Sequence, residues 1–189
     1  LNKHFGGVFA TDNVDFDVMP GELHAIIGPN GAGKTTFVAQ LSGMLKSDSG
    51  SIVFNGHDVT MWPAPKRSHV GLARSFQITS IFRKFTALDN VALAVQAHDG
   101  HSFRFWRAAR NDATLTDPAR RMLERVGLGA RADVVAGNLA HGEQRQLEIA
   151  MAIATGPKLL LLDEPTAGMG PEDSQRMTKF LLGLKGDYS

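Results

Sequence analysis

Gly28-Pro29-Asn30-Gly31-Ala32-Gly33-Lys34-Thr35-Thr36 fits the phosphate-binding pattern G-x-x-x-x-G-K-[ST] with no residue out of place. The pattern has chemical meaning only between a strand and a helix, because backbone amides must converge on phosphate oxygens. His24-Ala25-Ile26-Ile27 is an apolar run of strand type, and Phe37, Val38, Leu41, Met44 and Leu45 recur afterwards at helical spacing. The glycines let the loop curl without Cβ obstruction, and the positive end of the following helix faces the same anion. Lys34 is then placed to reach the β- and γ-phosphates, and the Thr35 hydroxyl to ligate Mg²⁺. The loop predicts nucleoside triphosphate binding, and by itself leaves kinase, GTPase and motor equally open.

The rest of the chain narrows the choice. At 189 residues with 43% apolar content it has the bulk for one domain with a substantial core. A formal charge of +1 without long runs of one sign lacks the footprint of a dedicated nucleic-acid binder. Cysteine is absent, which excludes disulfides and thiolate metal sites and is compatible with a reducing cytosol. The apolar runs Val91 to Val95 and Leu159 to Leu162 fall far short of the ~20 residues of a membrane-spanning helix.

Val14-Asp15-Phe16-Asp17-Val18 alternates as a half-exposed strand, and Pro20-Gly21 turns the chain into the strand before the loop. Ser51 to Phe54 reads as a strand closed by the hairpin-type turn Asn55-Gly56, and Val70 to Phe76 as another strand. From Thr86 to about Val126 the pattern is helical, with Leu88, Val91, Ala92 and Val95 on one face and Met122, Leu123 and Val126 on another. Between those helices, residues 101–110 interleave aromatics with arginines. A surface for single-stranded nucleic acid is one reading; local packing or a protein contact suits a near-neutral chain better.

Glu143 to Ala154 is helical, and Leu159-Leu160-Leu161-Leu162 then ends in Asp163-Glu164. A strand apolar on both faces belongs in a parallel sheet covered by helices. Ligand chemistry gathers at the carboxyl ends of such strands, so Asp163 and the phosphate loop are expected to face one site. Asp163 is the candidate Mg²⁺ ligand opposite Thr35. Glu164 is the candidate base that orients or deprotonates the water attacking the γ-phosphate.

Phosphate loop, Gln77 after a strand, Leu139-Ala140-His141-Gly142-Glu143, and Leu159 to Gly168 occur in one order. That order resembles the ATP-binding cassette (ABC) family over essentially the whole chain. The resemblance implies an α/β P-loop NTPase core with a mostly parallel sheet, an antiparallel β layer and a helical subdomain. Residues 1–77 and 140–189 then form the nucleotide-binding core with its β layer, and 78–139 the helical subdomain. Phe5 looks like the aromatic that stacks on adenine. Gln77 matches the glutamine that contacts Mg²⁺ and the attacking water and senses a transmembrane partner. Residues 139–143 match the signature segment, which binds the γ-phosphate of ATP held by the opposite subunit, and Gly168 to Gly170 fall on the loop linking the two sites.

A physical argument supports this division of labour. The signature precedes a helix, so its amides and dipole make a second anion site. Two helix N-termini anchored in different subdomains of one chain do not clasp one phosphate easily, whereas two chains closing head to tail do. ATP thereby becomes the glue of a homo- or heterodimer with two composite sites. The signature departs from the family pattern, which reads close to Leu-Ser-Gly-Gly-Gln. Ala140 replaces serine, losing a neutral hydrogen bond of ~1 kcal/mol; His141 replaces glycine, Glu143 replaces glutamine, and Gly142 is kept. No histidine follows His141, so the resemblance implies that a further strand and a switch histidine lie beyond Ser189. The fragment as it stands is expected to hydrolyse ATP poorly.

Phe5-Gly6-Gly7, Gly71 to Gln77, Ile81-Phe82-Arg83, Asn90-Val91-Ala92 and Gln146 to Ala150 are similar to the branched-chain amino-acid importer ATPases. That resemblance implies two ATPase subunits beneath transmembrane permease subunits, served by an extracytoplasmic solute-binding protein. The chain is then expected to be peripheral, on the cytoplasmic face of a bacterial inner membrane, with Phe82 near the permease and no nucleic-acid partner. Related urea, amide and lipopolysaccharide-transport ATPases share much of the pattern, and no residue here meets the transported solute. A non-transport ABC ATPase would keep the nucleotide site but carry a coiled-coil insertion or a strongly basic surface, and neither is present. A non-hydrolysing nucleotide-gated module is favoured only by the altered signature and the missing histidine.

Overall fold

In the computed structural model, residues 1–74, 81–99 and 112–184 are described. Strands β1 (Lys3–Phe5) and β2 (Val8–Thr11) form an antiparallel hairpin with Phe5 opposite Val8. The Lys3 ammonium at 2.6 Å and the His4 N–H at 2.8 Å tie β1 to Asp48, and hold that carboxyl below its ordinary value. Strands β3 (Val53–Phe54) and β4 (His57–Asp58) form a second hairpin. Its turn places Asn55 at φ 49° and Gly56 at φ 78°, as the Asn-Gly pair predicts. Strands β5 (Leu72–Arg74) and β6 (Leu159–Leu161) pair in parallel, Arg74 opposite Leu161.

Three expectations about strands need correction. Residues 14–18 and 24–27 belong to no hydrogen-bonded strand among the described residues. Their turn does form: Glu22 N–H donates to Met19 O at 3.1 Å, with Gly21 at φ 77°. Phe16 also meets His24 edge to face at 5.3 Å and Phe37 at 5.4 Å. Side chains therefore hold the two segments against α1 without a ladder, and Ile27 is left 91% exposed. Apolar alternation specifies a face, whereas a ladder needs a partner edge in register. Leu159 to Leu161 is half-buried rather than sealed on both faces, because β5 is its one hydrogen-bonded neighbour among the described residues.

Helix α1 (Lys34–Ser42) follows the phosphate loop directly. Gly33 precedes it at φ 84°, and a Cβ there would lie 1.8 Å from Ala10 O, so only glycine lets β2 back the loop. The other end of α1 is clamped by Arg67 of helix α2 (Ala64–His69). Its guanidinium donates to Gln40 O and Leu41 O at 2.7 Å each, and to Trp62 O and Thr60 O at 2.9 Å each. The side chain is buried, which pushes its pKa down from the ordinary arginine value. A cation at a helix C-terminus, satisfying four carbonyls, fixes α1 along its axis.

Helices α3 (Ala87–Asp99), α4 (Ala113–Arg125) and α5 (His141–Ala154) supply most of the larger apolar cluster, with Val91, Leu123 and Leu147 at its fully buried centre. Thr86 and Asp89 cap α3 reciprocally, each backbone N–H donating to the other's side chain. The opposite face of α5 buries Ile149 and Ile153 against Met177 of helix α6 (Pro171–Gly183) and against Leu160 and Leu162. Helix α5 is therefore a beam shared by two cores, about 21 Å long at 1.5 Å per residue.

Replacing Arg67 by Ala leaves four carbonyls without their donor, and is expected to lower the unfolding free energy by about 3 kcal/mol in chemical denaturation. Arg67→Lys is expected to recover less than half of that loss, since one ammonium cannot fork to four acceptors.

Candidate functional site

The phosphate loop lies where β2, α1 and the end of β6 converge. Lys34 Nζ folds back on its own loop, donating to Gly28 O at 2.7 Å and Pro29 O at 2.8 Å. These bonds hold the ammonium at the mouth of the loop, where it can exchange carbonyl oxygens for phosphate oxygens. Thr35 Oγ1 donates to Asp163 Oδ1 at 3.4 Å, joining residues 128 apart in the chain. The sequence-level pairing of Thr35 with Asp163 is thus seen as a contact.

Asp163 is 4% exposed, and its second oxygen, Oδ2, lies 3.3 Å from Arg74 Nη2. Arg74 Nη1 also donates to Ser42 Oγ at 3.3 Å, so this guanidinium bridges β6 to α1. Sequence reading missed Arg74. Its signal was an arginine ending an apolar strand: parallel register sets Arg74 opposite Leu161, and residues two apart share a face, which puts Arg74 and Asp163 together.

Glu164 follows at φ 47°, in the left-handed region that a glutamate rarely adopts. It is exposed while Asp163 is buried, so successive carboxylates point to different environments. One is built to hold and the other is free to meet solvent. The Thr35 hydroxyl and the Asp163 carboxylate are hard oxygen donors of the kind Mg²⁺ takes. Among the described residues no cluster of three or more His, Asp or Glu could hold a metal alone. Such a site suits an ion that completes its shell with water and phosphate oxygens.

Residues 139–143 are ordered by their own contacts. Leu139 is buried in the helical core, and Ala140 is the N-cap of α5. The first intrahelical bond runs from Gln144 N–H to Ala140 O, which leaves the first-turn amides of His141, Gly142 and Glu143 without acceptors inside the helix. The His141 ring packs over Gly168, where an added Cβ would come within 3.2 Å of Cε1. The segment therefore touches the loop that follows Asp163-Glu164. Glu143 bonds the Ala140 N–H and Arg131, both at 2.9 Å. Phe5 ends β1 and is 52% exposed, on the hairpin that backs Gly33. Gln77 and the aromatic-basic segment 101–110 lie outside the described residues.

A phosphate loop that opens a helix and meets a buried acidic residue at a strand end defines a P-loop nucleotide-binding cassette. The ABC transporter family profile matches residues 11–167, and the chain belongs to that family. It is 35% identical to the high-affinity branched-chain amino acid transport ATP-binding protein LivG of Escherichia coli K12, over all of this chain and 76% of the relative. It is 36% identical to the probable branched-chain amino acid transport ATP-binding protein LivG of Archaeoglobus fulgidus, over 98% of this chain and 73% of the relative. An ATP-binding cassette of an ABC transporter, solved in its ADP conformation, superposes with a TM-score of 0.82 at 31% identity, covering 97% of this chain and 74% of the other. The chain thus spans about three-quarters of its relatives' length. Among the described residues no helix is long and apolar enough to cross a membrane.

Lys34→Ala is expected to raise the ATP dissociation constant by roughly 100-fold, since it removes charge-assisted bonds to two phosphates. Calorimetric titration measures it, and unchanged affinity would contradict the assignment. Asp163→Asn is expected to keep Mg²⁺-free ATP binding while removing the gain that Mg²⁺ adds.

Proposed function

We propose that this chain is the ATP-binding and ATP-hydrolysing subunit of an importer, with branched-chain amino acids as its cargo. The observation that carries the ATPase reading is the Thr35–Asp163 contact at the base of the phosphate loop. The cargo rests on the names of relatives about 35% identical, because no residue here would touch the solute.

In this reading the amides of residues 28–36 cradle the phosphates, Lys34 neutralises the β- and γ-oxygens, and Phe5 stacks on the adenine. Thr35 and Asp163 hold Mg²⁺, with Gln77 as a further ligand, and the ion when bound spreads the charge that builds on the leaving phosphate. Glu164 accepts the proton of the water that attacks the γ-phosphorus; the bond to the β-phosphate oxygen breaks, and ADP and phosphate leave. The exposure of Glu164 beside the buried Asp163 supports this role by leaving its carboxylate open to water.

Residues 139–143 bind the γ-phosphate held by a second ATPase subunit, so that ATP closes a head-to-tail pair. Residues 78–139 act as a helical subdomain against a core of 1–77 and 140–189. Phe82 and Phe85 stack at 5.7 Å and stay exposed, an aromatic pair suited to a permease subunit. Asn90, fully buried, bonds both the N–H and the O of Phe82 and so fixes that pair on α3. The subunit then works peripherally at the cytoplasmic face of the membrane, with an extracytoplasmic solute-binding protein feeding the permease.

Glu164→Gln is expected to lower turnover by about 10²- to 10⁴-fold with ATP affinity kept. Phosphate release by the full-length subunit with its permease measures it. Full turnover would remove Glu164 as the base.

A further inference from the structure

The signature end of α5 carries an arrangement that the nucleotide motifs do not explain. Glu143 sits in the first turn with one oxygen on the Ala140 N–H and the other on Arg131 Nε, both at 2.9 Å. Arg131 comes from a single 3₁₀ turn, Gly129–Arg131, that follows α4. Asp173, from the first turn of α6, brings a second carboxylate to the same place: a Cβ on Gly142 would lie 3.3 Å from its Oδ2. Arg176 is its cation, at 3.8 Å. A cleft of about 550 Å³ opens here, lined in part by Ala140, Gly142, Glu143, Gln146, Asp173 and Arg176.

A carboxylate in a first turn stabilises a free helix end. The same carboxylate repels an anion arriving at that end. Two of them border this one; Arg131 hydrogen-bonds the first, and Arg176 lies 3.8 Å from the second.

We propose that Arg131 is a positioning residue of the composite nucleotide site: by pairing with Glu143 it turns that carboxylate onto the N-cap amide and offsets its charge, so the partner's γ-phosphate can approach Gly142. This rests on the reading of residues 139–143 as the γ-phosphate site of the opposite subunit. Arg131 touches no phosphate in this account and acts through Glu143. The pair is partly exposed, with side-chain exposures of 54% and 24%, so its effect is moderate and sensitive to salt.

The test is the dissociation constant of the dimer formed by the full-length subunit with a non-hydrolysable ATP analogue, from sedimentation velocity. Arg131→Ala is expected to weaken the dimer about threefold to tenfold at low salt and less at high salt. Nucleotide affinity of the dilute monomer, which uses its own phosphate loop, is expected to stay unchanged. Arg131→Glu is expected to be worse than Arg131→Ala. The double variant Arg131→Ala with Glu143→Gln is expected to return to within about twofold of the parent, because the amide can still accept the Ala140 N–H without carrying charge.

A purely structural role for Arg131 would leave the double variant as weak as the single one, and that result overturns the proposal. So does an Arg131→Ala dimer as tight as the parent. If the parent itself forms no nucleotide-dependent dimer, the two-chain reading fails and takes this proposal with it; a parent that dimerises while the rescue fails rejects the Arg131 role alone.

Discussion

The Asp163 carboxylate is the point through which the rest of the site is assembled. One of its oxygens meets the Thr35 hydroxyl at the start of α1, and the other meets Arg74 at the end of β5. A carboxylate this buried is costly unless its oxygens are paired, so the chain must bring a hydroxyl and a cation to it. Parallel pairing of β5 with β6 delivers the cation, and the clamp of Arg67 on the far end of α1 holds the hydroxyl in place. Loop, strand end and helix are therefore mutually dependent, although they are distant in sequence.

The second constraint is the beam formed by α5. Its two faces belong to different cores, one with α3 and α4 and the other with α6 and the Leu160 to Leu162 segment. Its N-terminus carries Ala140, His141, Gly142 and Glu143, so the aim of these first-turn amides is set by packing along the whole helix. His141 against Gly168 links the beam to the loop after Glu164. The N-terminus of α5 and the turn after Glu164 are thus mechanically adjacent within one chain.

Much of this was legible in the sequence, because the decisive signals were local. The phosphate loop, the Asn55-Gly56 turn and the helical face around Val91 each specify their structure within a few residues. The pairing of Thr35 with Asp163 was legible through the chemistry that Mg²⁺ and phosphate demand. Arg74, Arg67 and Arg131 were not. Each is a lone arginine whose role depends on register or on chain crossing, and a single sequence carries no direct trace of either. The strands expected at 14–18 and 24–27 failed for a related reason: alternation gives a face, whereas hydrogen bonding needs a neighbour. Phe16 found its packing without one.

In the proposed pairing this chain holds halves of two different nucleotide sites: the phosphate loop of its own, and at residues 139–143 the segment that closes its partner's. Complementation in full-length subunits tests it most directly: Lys34→Ala in one preparation, Gly142→Asp in another, each alone and then mixed in equal amounts with a non-hydrolysable ATP analogue. Little dimer is expected from either variant alone, and a mixed dimer carrying one tightly bound nucleotide from the two together, because one composite site is then intact. A Gly142→Asp protein that dimerises as tightly as the parent, or folded variants whose mixture forms no dimer, would contradict that pairing.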